Sequence, residues 1–175
     1  MRKLLIVIDM QNDFIDAALG TEEAVSIVEA VKDKIRTCPA EDIYATMDTH
    51  GENYMDTQEG KNLPVKHCIR GTEGWQLDKS IAAALRDKEY AAVEKTTFGS
   101  MDLPRLIEKA AEGEDFSVEL IGLCTDICVV SNALLLKASF PEMSVSVDSE
   151  CCAGVTPQLH EAALATMRSC QIEVK

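Results

Sequence analysis

The chain has 175 residues, 46% of them hydrophobic and 27% charged, which is typical of one globular domain, here residues 1–175. The formal net charge of −13 argues against nucleic acid or an anionic membrane as a partner, because both are themselves negatively charged. No apolar run reaches the roughly 18 residues that span a bilayer, and no secretory signal is visible, so we expect a cytoplasmic protein.

The chain contains an odd number of cysteines and no Cys-x-x-Cys pair. They are Cys38, Cys68, Cys124, Cys128, Cys151, Cys152 and Cys170. In a reducing compartment we expect free thiols and no disulfide framework. The spacing does not match a structural zinc site either, so we expect most of these residues, Cys170 included, to be packed in the interior.

Segments with strand and helix periodicity alternate along the chain. Short apolar runs predict strands at 3–8, 42–47, 90–93, 117–121, 143–147 and 172–174, the fifth of them ending at Asp148. Apolar residues at helical spacing predict helices at 24–35, 77–85, 103–111, 127–138 and from 157 onward. This alternation predicts an α/β fold of three α/β/α layers around a central, mostly parallel, Rossmann-like sheet of about six strands.

Four residues of reactive types follow the ends of predicted strands. Asp9 follows the first strand, Asp48 the second and Lys95 the third, and Cys128 opens the helix after the fourth. Because parallel strands present their carboxyl ends at one edge of the sheet, where ligands bind, we expect these side chains to meet. Each alone could instead be a turn former, a small core residue or a solvated lysine.

The turn before Cys128 predicts an activated thiol. Thr125 and Asp126 are residue types that cap a helix N-terminus, and a cap at either place puts Cys128 in the first turn. There, unpaired N–H groups and the helix dipole favour a thiolate and can also hold an oxyanion. The alternative is that Cys128 is a small buried residue, as cysteines after a strand usually are.

Three motifs in sequence order resemble those of the isochorismatase-like cysteine hydrolases, and the resemblance covers nearly the whole chain. They are Ile-Val-Ile-Asp-Met-Gln-Asn-Asp-Phe at 6–14, Glu-Lys-Thr-Thr-Phe at 94–98 and Gly-Leu-Cys-Thr-Asp-Ile-Cys-Val at 122–129, and a similar tail follows at 148–157. The resemblance implies a parallel-sheet α/β/α domain with a triad of Asp9, Lys95 and Cys128.

The resemblance assigns a role to each member of the triad. Cys128 attacks an amide carbonyl to form a thioester, and Asp9 takes the thiol proton and returns it to the departing amine. Lys95 stabilises the carboxylate and the thiolate as an ammonium. The family also implies a cis peptide between Leu123 and Cys124, which aims the N–H of Cys124, with that of Cys128, into an oxyanion hole.

The stretch 49–75 shows no periodicity and contains two of the three histidines, His50 and His67. An irregular stretch of this length is uncommon in a compact domain and is usually functional. With Asp48, the histidines form a mixed nitrogen and oxygen set that suits Zn²⁺, Mn²⁺ or Fe²⁺. The Asp-x-His and His-Cys-x-x-Gly-Thr-x-Gly patterns resemble the metal loop of the nicotinamidase branch, which implies one divalent transition metal, zinc first among these three.

The resemblance implies a fourth metal ligand that varies, a histidine in some members of the branch and a glutamate in others. Because this loop has no third histidine, the role is carried over to Glu59, with Asp56 as the rival and Glu52 as a weaker one. The metal would anchor a pyridine nitrogen and so orient the carboxamide of the substrate toward Cys128.

Three further residues concern the substrate pocket. Phe14 and Phe98 resemble aromatic residues that line the pocket in this family, and plain core packing is the alternative for both. Many nicotinamidases carry a tryptophan just before the Pro-x-x-His segment, and this tryptophan stacks on the pyridine ring, whereas Leu63 occupies the position in this chain.

His160, far from these loops in sequence, is expected to be a structural residue without a partner.

Together with these residues, the resemblance to the nicotinamidase branch implies metal-dependent hydrolysis of nicotinamide to nicotinate and ammonia, a step of NAD salvage, with pyrazinamide as a further substrate. The alternative is a metal-free cysteine amidohydrolase of the same superfamily that acts on an N-carbamoyl or ureido compound. An inactive interaction module is disfavoured because the triad is intact, and a vinyl-ether hydrolase because those members do not use the cysteine nucleophile. Family members are commonly dimers or tetramers, so the resemblance also implies a homo-oligomer.

Overall fold

The computed structural model describes residues 1–40 and 42–175, and six parallel strands form its central sheet. The strands are β1 (Arg2–Ile8), β2 (Asp42–Asp48), β3 (Ala91–Lys95), β4 (Phe116–Leu123), β5 (Ser144–Ala153) and β6 (Glu173–Val174). Their spatial order is β3-β2-β1-β4-β5-β6, and each neighbouring pair is parallel. The direction of winding reverses between β1 and β4, and the crevice at such a switch is where ligands bind in open sheets.

Helices cover both faces of this sheet. They are α1 (Asn12–Ile15), α2 (Glu22–Thr37), α3 (Gln58–Asn62), α4 (Lys79–Arg86), α5 (Leu103–Ala111), α6 (Val130–Ser139) and α7 (Pro157–Ser169). On one face, Ile107 of α5, Leu136 of α6 and Leu164 of α7 belong to one buried cluster. On the other, Val31 of α2 and Ile81 of α4 belong to a second. The predicted three-layer α/β/α fold is confirmed, and none of the helices described is long and apolar enough to cross a membrane.

β1 is buried on both faces, which explains its nearly continuous apolar sequence. Leu4, Ile6 and Ile8 belong to the first cluster, and Leu5 and Val7 belong to the second. A strand that must fill two cores has no solvent face on which to place a polar residue. The central position of β1 therefore follows from the composition of the strand.

The predicted end of the fifth strand at Asp148 is wrong. β5 continues to Ala153, and its pairing with β4 shifts register between Leu120 and Gly122. Asp148 can remain inside the strand because the ammonium of Lys34, on α2, lies 2.7 Å from its carboxylate. A paired carboxylate can be kept in a partly buried position that an unpaired one would avoid.

The stretch between β2 and α4 contains two short helical elements that the periodicity did not show. They are a 3₁₀ turn at Tyr54–Asp56 and α3. Thr57 caps α3 by accepting the N–H of Gly60 at 3.0 Å. Elements of three and five residues are too short to show a hydrophobic period, so an irregular stretch was predicted here.

Gly122 allows the end of β4 to approach β1 closely. Its φ is +114°, and a Cβ at this position would lie 2.2 Å from the carbonyl oxygen of Ile8. Only glycine tolerates both the left-handed conformation and this contact. The carboxyl ends of β1 and β4 therefore lie side by side, with Asp9 after one and the turn to Cys128 after the other.

Each of the seven cysteines is described in the structure as a free thiol, as predicted. Five are buried and Cys124 is half-buried. The expectation that Cys170 is packed is wrong, because this residue follows the last turn of α7 at the surface, where its side chain is exposed.

Candidate active site and metal centre

Asp9, Lys95 and Cys128 meet at the switch between β1 and β4. Lys95 Nζ lies 2.7 Å from Asp9 Oδ2 and 3.5 Å from Cys128 Sγ, so the ammonium contacts both the carboxylate and the thiol. It also donates to the carbonyl of Thr97 at 3.0 Å and to Asp48 Oδ1 at 3.3 Å. All three side chains are buried, so their charges act on one another with little screening by solvent.

The backbone after β1 and a threonine of β2 orient Asp9. Its φ is +47°, a left-handed conformation that aspartate adopts more readily than most residues. The N–H of Asp9 donates to Thr46 Oγ1 at 3.2 Å, and the Thr46 hydroxyl donates to Asp9 Oδ1 at 2.6 Å. The other carboxylate oxygen is thereby directed at Lys95. Thr46 was not singled out from the sequence, since it lies inside an apolar strand.

Burial and the neighbouring charges together shift the pKa values of the three groups. It raises the pKa of Asp9 above the usual 3.8, although Lys95 opposes the shift. Burial alone would lower the pKa of Lys95, but the charges of Asp9 and Cys128 outweigh it and raise that pKa. Burial and the charge of Asp9 raise the pKa of Cys128 well above 9.0, and Lys95 offsets them only in part. The direction of this pKa shift fits a Cys128 thiol that gives its proton to a base, the role that the resemblance assigns to Asp9.

Cys128 lies in a π-helical turn, Thr125–Val129, that continues directly into α6. This turn has no side-chain cap among the residues described, and its N-cap residue is Cys124. The prediction that Thr125 or Asp126 caps the turn is wrong, because neighbours from another part of the chain bind both side chains. The position of Cys128 in the first turn is nevertheless as predicted.

The start of α7 and the loop before it hold this turn in place. Thr125 Oγ1 lies 2.8 Å from His160 Nδ1, and the carboxylate of Asp126 accepts the N–H of Val155 at 3.0 Å. His160 therefore has a partner, and the expectation that it has none is wrong. Thr125 and His160 are 35 residues apart in sequence, so no local pattern indicates their contact.

The peptide between Leu123 and Cys124 is cis, as the resemblance implied. Cys124 directly precedes the π turn, and burial together with the nearby Asp126 carboxylate raises the pKa of its thiol to about 12. The oxyanion hole built from the N–H groups of Cys124 and Cys128 stays a prediction.

Asp48, His50, Glu59 and His67 direct their ligand atoms at one another, all within 4.8 Å. His50 Nε2 lies 2.9 Å from Asp48 Oδ2 and 3.7 Å from Glu59 Oε1. His67 Nε2 lies 3.6 Å from each of the same two oxygens. Two imidazole nitrogens and two carboxylate oxygens are a donor set suited to Zn²⁺, Mn²⁺ or Fe²⁺, so the residues present fit a divalent cation.

The cluster contains Glu59 and neither of its rivals. Asp56 and Glu52 are exposed and lie outside the group of converging ligand atoms. Asp56 belongs to the 3₁₀ turn, whereas the cap at Thr57 starts α3 and places Glu59 in its first turn. The short helix thus brings this one carboxylate to the histidines.

Two contacts orient the histidine rings. The carbonyl of Val65 lies 2.9 Å from His67 Nδ1, which leaves Nε2 directed at the carboxylates, an arrangement typical of metal-binding histidines. Tyr54 is fully buried, and its ring centroid lies 4.8 Å from that of His50 and 5.0 Å from that of His67. Tyr54 was missed from the sequence because an aromatic residue in an irregular stretch carries no pattern.

Asp48 contacts both the group of Asp9, Lys95 and Cys128 and the two histidines of the metal cluster. One oxygen contacts Lys95 and the other faces His50 and His67. Burial alone would raise the pKa of Asp48, but hydrogen bonds from the two histidines hold it well below its usual value. Gln11, fully buried, accepts the N–H of Asp48 at 2.7 Å and donates to its carbonyl at 2.9 Å. The position of Gln11 inside the first motif was the one signal that could have identified it.

A cavity of about 600 Å³ opens beside the metal cluster. Phe98 and Leu63, 45% and 38% exposed, line it together with Ile127, which precedes the cysteine nucleophile candidate. Phe14 lies outside this lining, and its ring packs 5.5 Å from that of His67. Contact of these side chains with a substrate stays a prediction.

Known proteins resemble this chain in sequence and in structure. A Bacillus subtilis (strain 168) protein described as uncharacterized isochorismatase family protein PncA is 30% identical over 145 residues, 77% of this chain and 78% of that protein. The crystal structure of nicotinamidase/pyrazinamidase PncA from Bacillus subtilis is similar over 99% of each chain, with a TM-score of 0.85 and 26% identity. The crystal structure of the pyrazinamidase of Pyrococcus horikoshii in complex with zinc is similar over 100% of this chain and 99% of the Pyrococcus horikoshii chain, with a TM-score of 0.84 and 25% identity.

The sequence model of the isochorismatase domain matches residues 3–174. This match includes the six strands of the sheet except Arg2, the first residue of β1, and it includes both groups of converging side chains. The chain belongs to the isochorismatase domain family.

Proposed function

We propose that the chain is a metal-dependent nicotinamidase, which hydrolyses nicotinamide to nicotinate and ammonia through a thioester at Cys128. The observation that carries the proposal is the buried set of Asp9, Lys95 and Cys128 directly beside a two-histidine, two-carboxylate cluster. Similarity to the nicotinamidase/pyrazinamidase of Bacillus subtilis and to the zinc-bound pyrazinamidase of Pyrococcus horikoshii supports a small aromatic amide as substrate, pyrazinamide included.

In the first half of the proposed reaction, Asp9 takes the proton of the Cys128 thiol as the sulfur attacks the carboxamide carbon. The raised pKa of Asp9 makes it a stronger base than an exposed carboxylate, and Lys95 stabilises the thiolate. A carbon–sulfur bond forms and the carbonyl oxygen becomes an oxyanion. Asp9 then returns the proton to the amide nitrogen, the carbon–nitrogen bond breaks, and ammonia leaves a thioester behind.

In the second half, Asp9 takes a proton from a water whose oxygen attacks the thioester carbon. The carbon–sulfur bond breaks, the sulfur of Cys128 recovers a proton from Asp9, and the carboxylic acid is released. One amide and one water thus give one acid and one ammonia. In both halves we assign stabilisation of the oxyanion to the N–H groups of Cys124 and Cys128.

Asp48, His50, Glu59 and His67 are the residues that would hold the divalent cation. Zinc is the metal present in the similar Pyrococcus horikoshii structure. When bound, the cation supplies a Lewis acid for a ring nitrogen of the substrate. The nucleophile and the base come from the triad, so the part of the cluster in catalysis is to bind and orient the amide.

Ammonia release from nicotinamide tests this proposal. Protein loaded with Zn²⁺ or Mn²⁺ should produce ammonia and nicotinate in equal amounts, and acid quenching should trap a nicotinoyl group on Cys128 that mass spectrometry can locate. Cys128→Ala should abolish both signals and still bind the metal. Absence of turnover by the metal-loaded wild-type protein would overturn the proposal.

The metal-free alternative, hydrolysis of an N-carbamoyl or ureido compound, predicts other results. It requires the loop histidines to be incidental, so His50→Ala should keep full activity and elemental analysis should find no transition metal. Loss of activity in His50→Ala together with stoichiometric metal would exclude it.

We further propose that residues 1–175 act as one domain in the cytoplasm. Association into a homo-oligomer is implied by resemblance to the family. Light scattering coupled to size-exclusion chromatography measures the state of association directly.

A further inference from the structure

Asn132 lies on α6, four residues after Cys128, and its side chain is fully buried. Its Nδ2 donates to the carbonyl of Cys128 at 2.8 Å and to that of Phe98 at 3.1 Å. Its Oδ1 accepts the N–H of Ser100 at 2.8 Å. A buried amide is costly unless it is hydrogen-bonded, and here both its nitrogen and its oxygen are bonded to backbone.

These three partners come from two segments of the site. The carbonyl of Cys128 belongs to the π turn, whereas the other two groups lie in the segment 96–100, which follows β3. This segment supplies Phe98 to the cavity wall, and its Thr97 carbonyl accepts a hydrogen bond from Lys95 at 3.0 Å. One buried amide therefore ties the backbone of the nucleophile to the segment that borders both the cavity and the lysine.

We propose that Asn132 is a positioning residue that sets the orientation of Cys128 and the place of Phe98 in the cavity wall. The inference rests on the proposed function, because its effect on the substrate is measured through amide hydrolysis. Two carbonyls require two donors and one N–H requires an acceptor, and an asparagine amide offers all three in one plane. Ionised aspartate has no donor, and serine has a single donor on a shorter side chain.

The substitution Asn132→Ser should separate the hydrogen bond to the carbonyl of Cys128 from the hydrogen bonds to the segment 96–100. Ser139, on the same helix, donates its hydroxyl to the carbonyl of Leu135, four residues earlier, at 2.9 Å. In Asn132→Ser the hydroxyl should bond the carbonyl of Cys128 in the same way but should not reach the segment 96–100. Asn132→Ala loses both connections.

Steady-state kinetics on the metal-loaded protein test the proposal. Asn132→Ser should raise KM for nicotinamide about tenfold and keep kcat within about threefold, because Cys128 keeps its hydrogen-bond donor and Lys95 keeps its contacts with Asp9 and Asp48, whereas the Phe98 carbonyl loses its donor. Asn132→Ala should also lower kcat by about 10- to 100-fold, since a misplacement of about 1 Å costs about 100-fold. Asn12→Ser is the matched control: its amide donates to the carbonyl of Glu73 at 2.8 Å, away from the cavity, and both constants should stay unchanged.

The separation of KM from kcat distinguishes positioning from a general loss of stability. Variants that melt at a lower temperature but keep wild-type KM and kcat would overturn the proposal, and so would an equal fall of kcat in both variants. If the wild-type protein does not hydrolyse nicotinamide, the proposed function fails instead. The rate at which iodoacetamide alkylates Cys128 then decides: an altered rate in Asn132→Ala supports the positioning role, and an unchanged rate overturns it.

Discussion

Asp48 places one carboxylate oxygen 3.3 Å from the ammonium of Lys95 and directs the other at the two histidines of the cluster. The proposed metal centre and the triad thus share a side chain and do not merely face the same cavity. A change at Asp48 should affect both groups, whereas a change at Glu59, whose carboxylate lies beside the two histidines, should affect the cluster alone.

Asp48→Asn should lower activity in a way that added metal does not restore, because Lys95 loses a counter-charge as the cluster loses a ligand. Glu59→Gln should weaken metal binding by at least about tenfold yet recover most activity at saturating metal. Zinc titration combined with ammonia release measures both effects. Asp56→Asn, outside the cluster, serves as the control with unchanged affinity. Full recovery of Asp48→Asn by added metal would contradict the shared role.

Gln11→Ala should lower the free energy of unfolding by about 1–3 kcal/mol, because it leaves buried backbone groups of Asp48 without partners. Gln11→Glu should cost more, since its carboxylate cannot donate to the carbonyls of Asp48 and Trp75 and adds charge beside Asp48. Urea denaturation provides these free energies, with exposed Gln158→Ala as the control. A Gln11→Ala protein as stable as wild type would contradict the expectation.

Thr125→Val and His160→Ala should show energetic coupling. Each removes the same 2.8 Å contact, so the double variant should lose about 1 kcal/mol less stability than the sum of the single variants. Guanidinium denaturation of the four proteins measures the coupling. Thr21→Ala, which uncaps the distant α2, should instead be additive with His160→Ala. Additivity of the Thr125 and His160 variants would show that the contact contributes nothing.

Glu119 should make stability depend on pH in the acid range. Burial alone would raise its pKa, but hydrogen bonds from Lys175 and Lys34 lower it below the usual 4.5. A carboxylate with a depressed pKa contributes stability that is present above pH 4.5 and is lost as the pH falls through the folded-state pKa. The melting temperature of Glu119→Gln should therefore fall less than that of wild type below pH 4.5. Parallel melting curves of the two proteins would exclude this contribution.

Local patterns predicted the sheet and the edge at which the triad meets. Asp9, Lys95 and Cys128 each follow a short apolar run, and parallel strands necessarily present such positions at one edge. The end of β5 was mispredicted because the partner that keeps Asp148 inside the strand is Lys34, on a helix far away in sequence. The prediction that Thr125 or Asp126 caps the π turn is wrong for the same reason, because the groups that bind these side chains, His160 and the N–H of Val155, lie far away in sequence.

By itself, the sequence determined the α/β/α fold, the family and the residues that converge at the switch between β1 and β4, because periodicity and motif spacing are local properties. The tertiary structure alone decided that Glu59 and not Asp56 joins the cluster, that Thr125 contacts His160, and that Asn132 connects the backbone of Cys128 to the cavity wall. Those outcomes depend on burial and on distances between segments far apart along the chain, which no local pattern encodes.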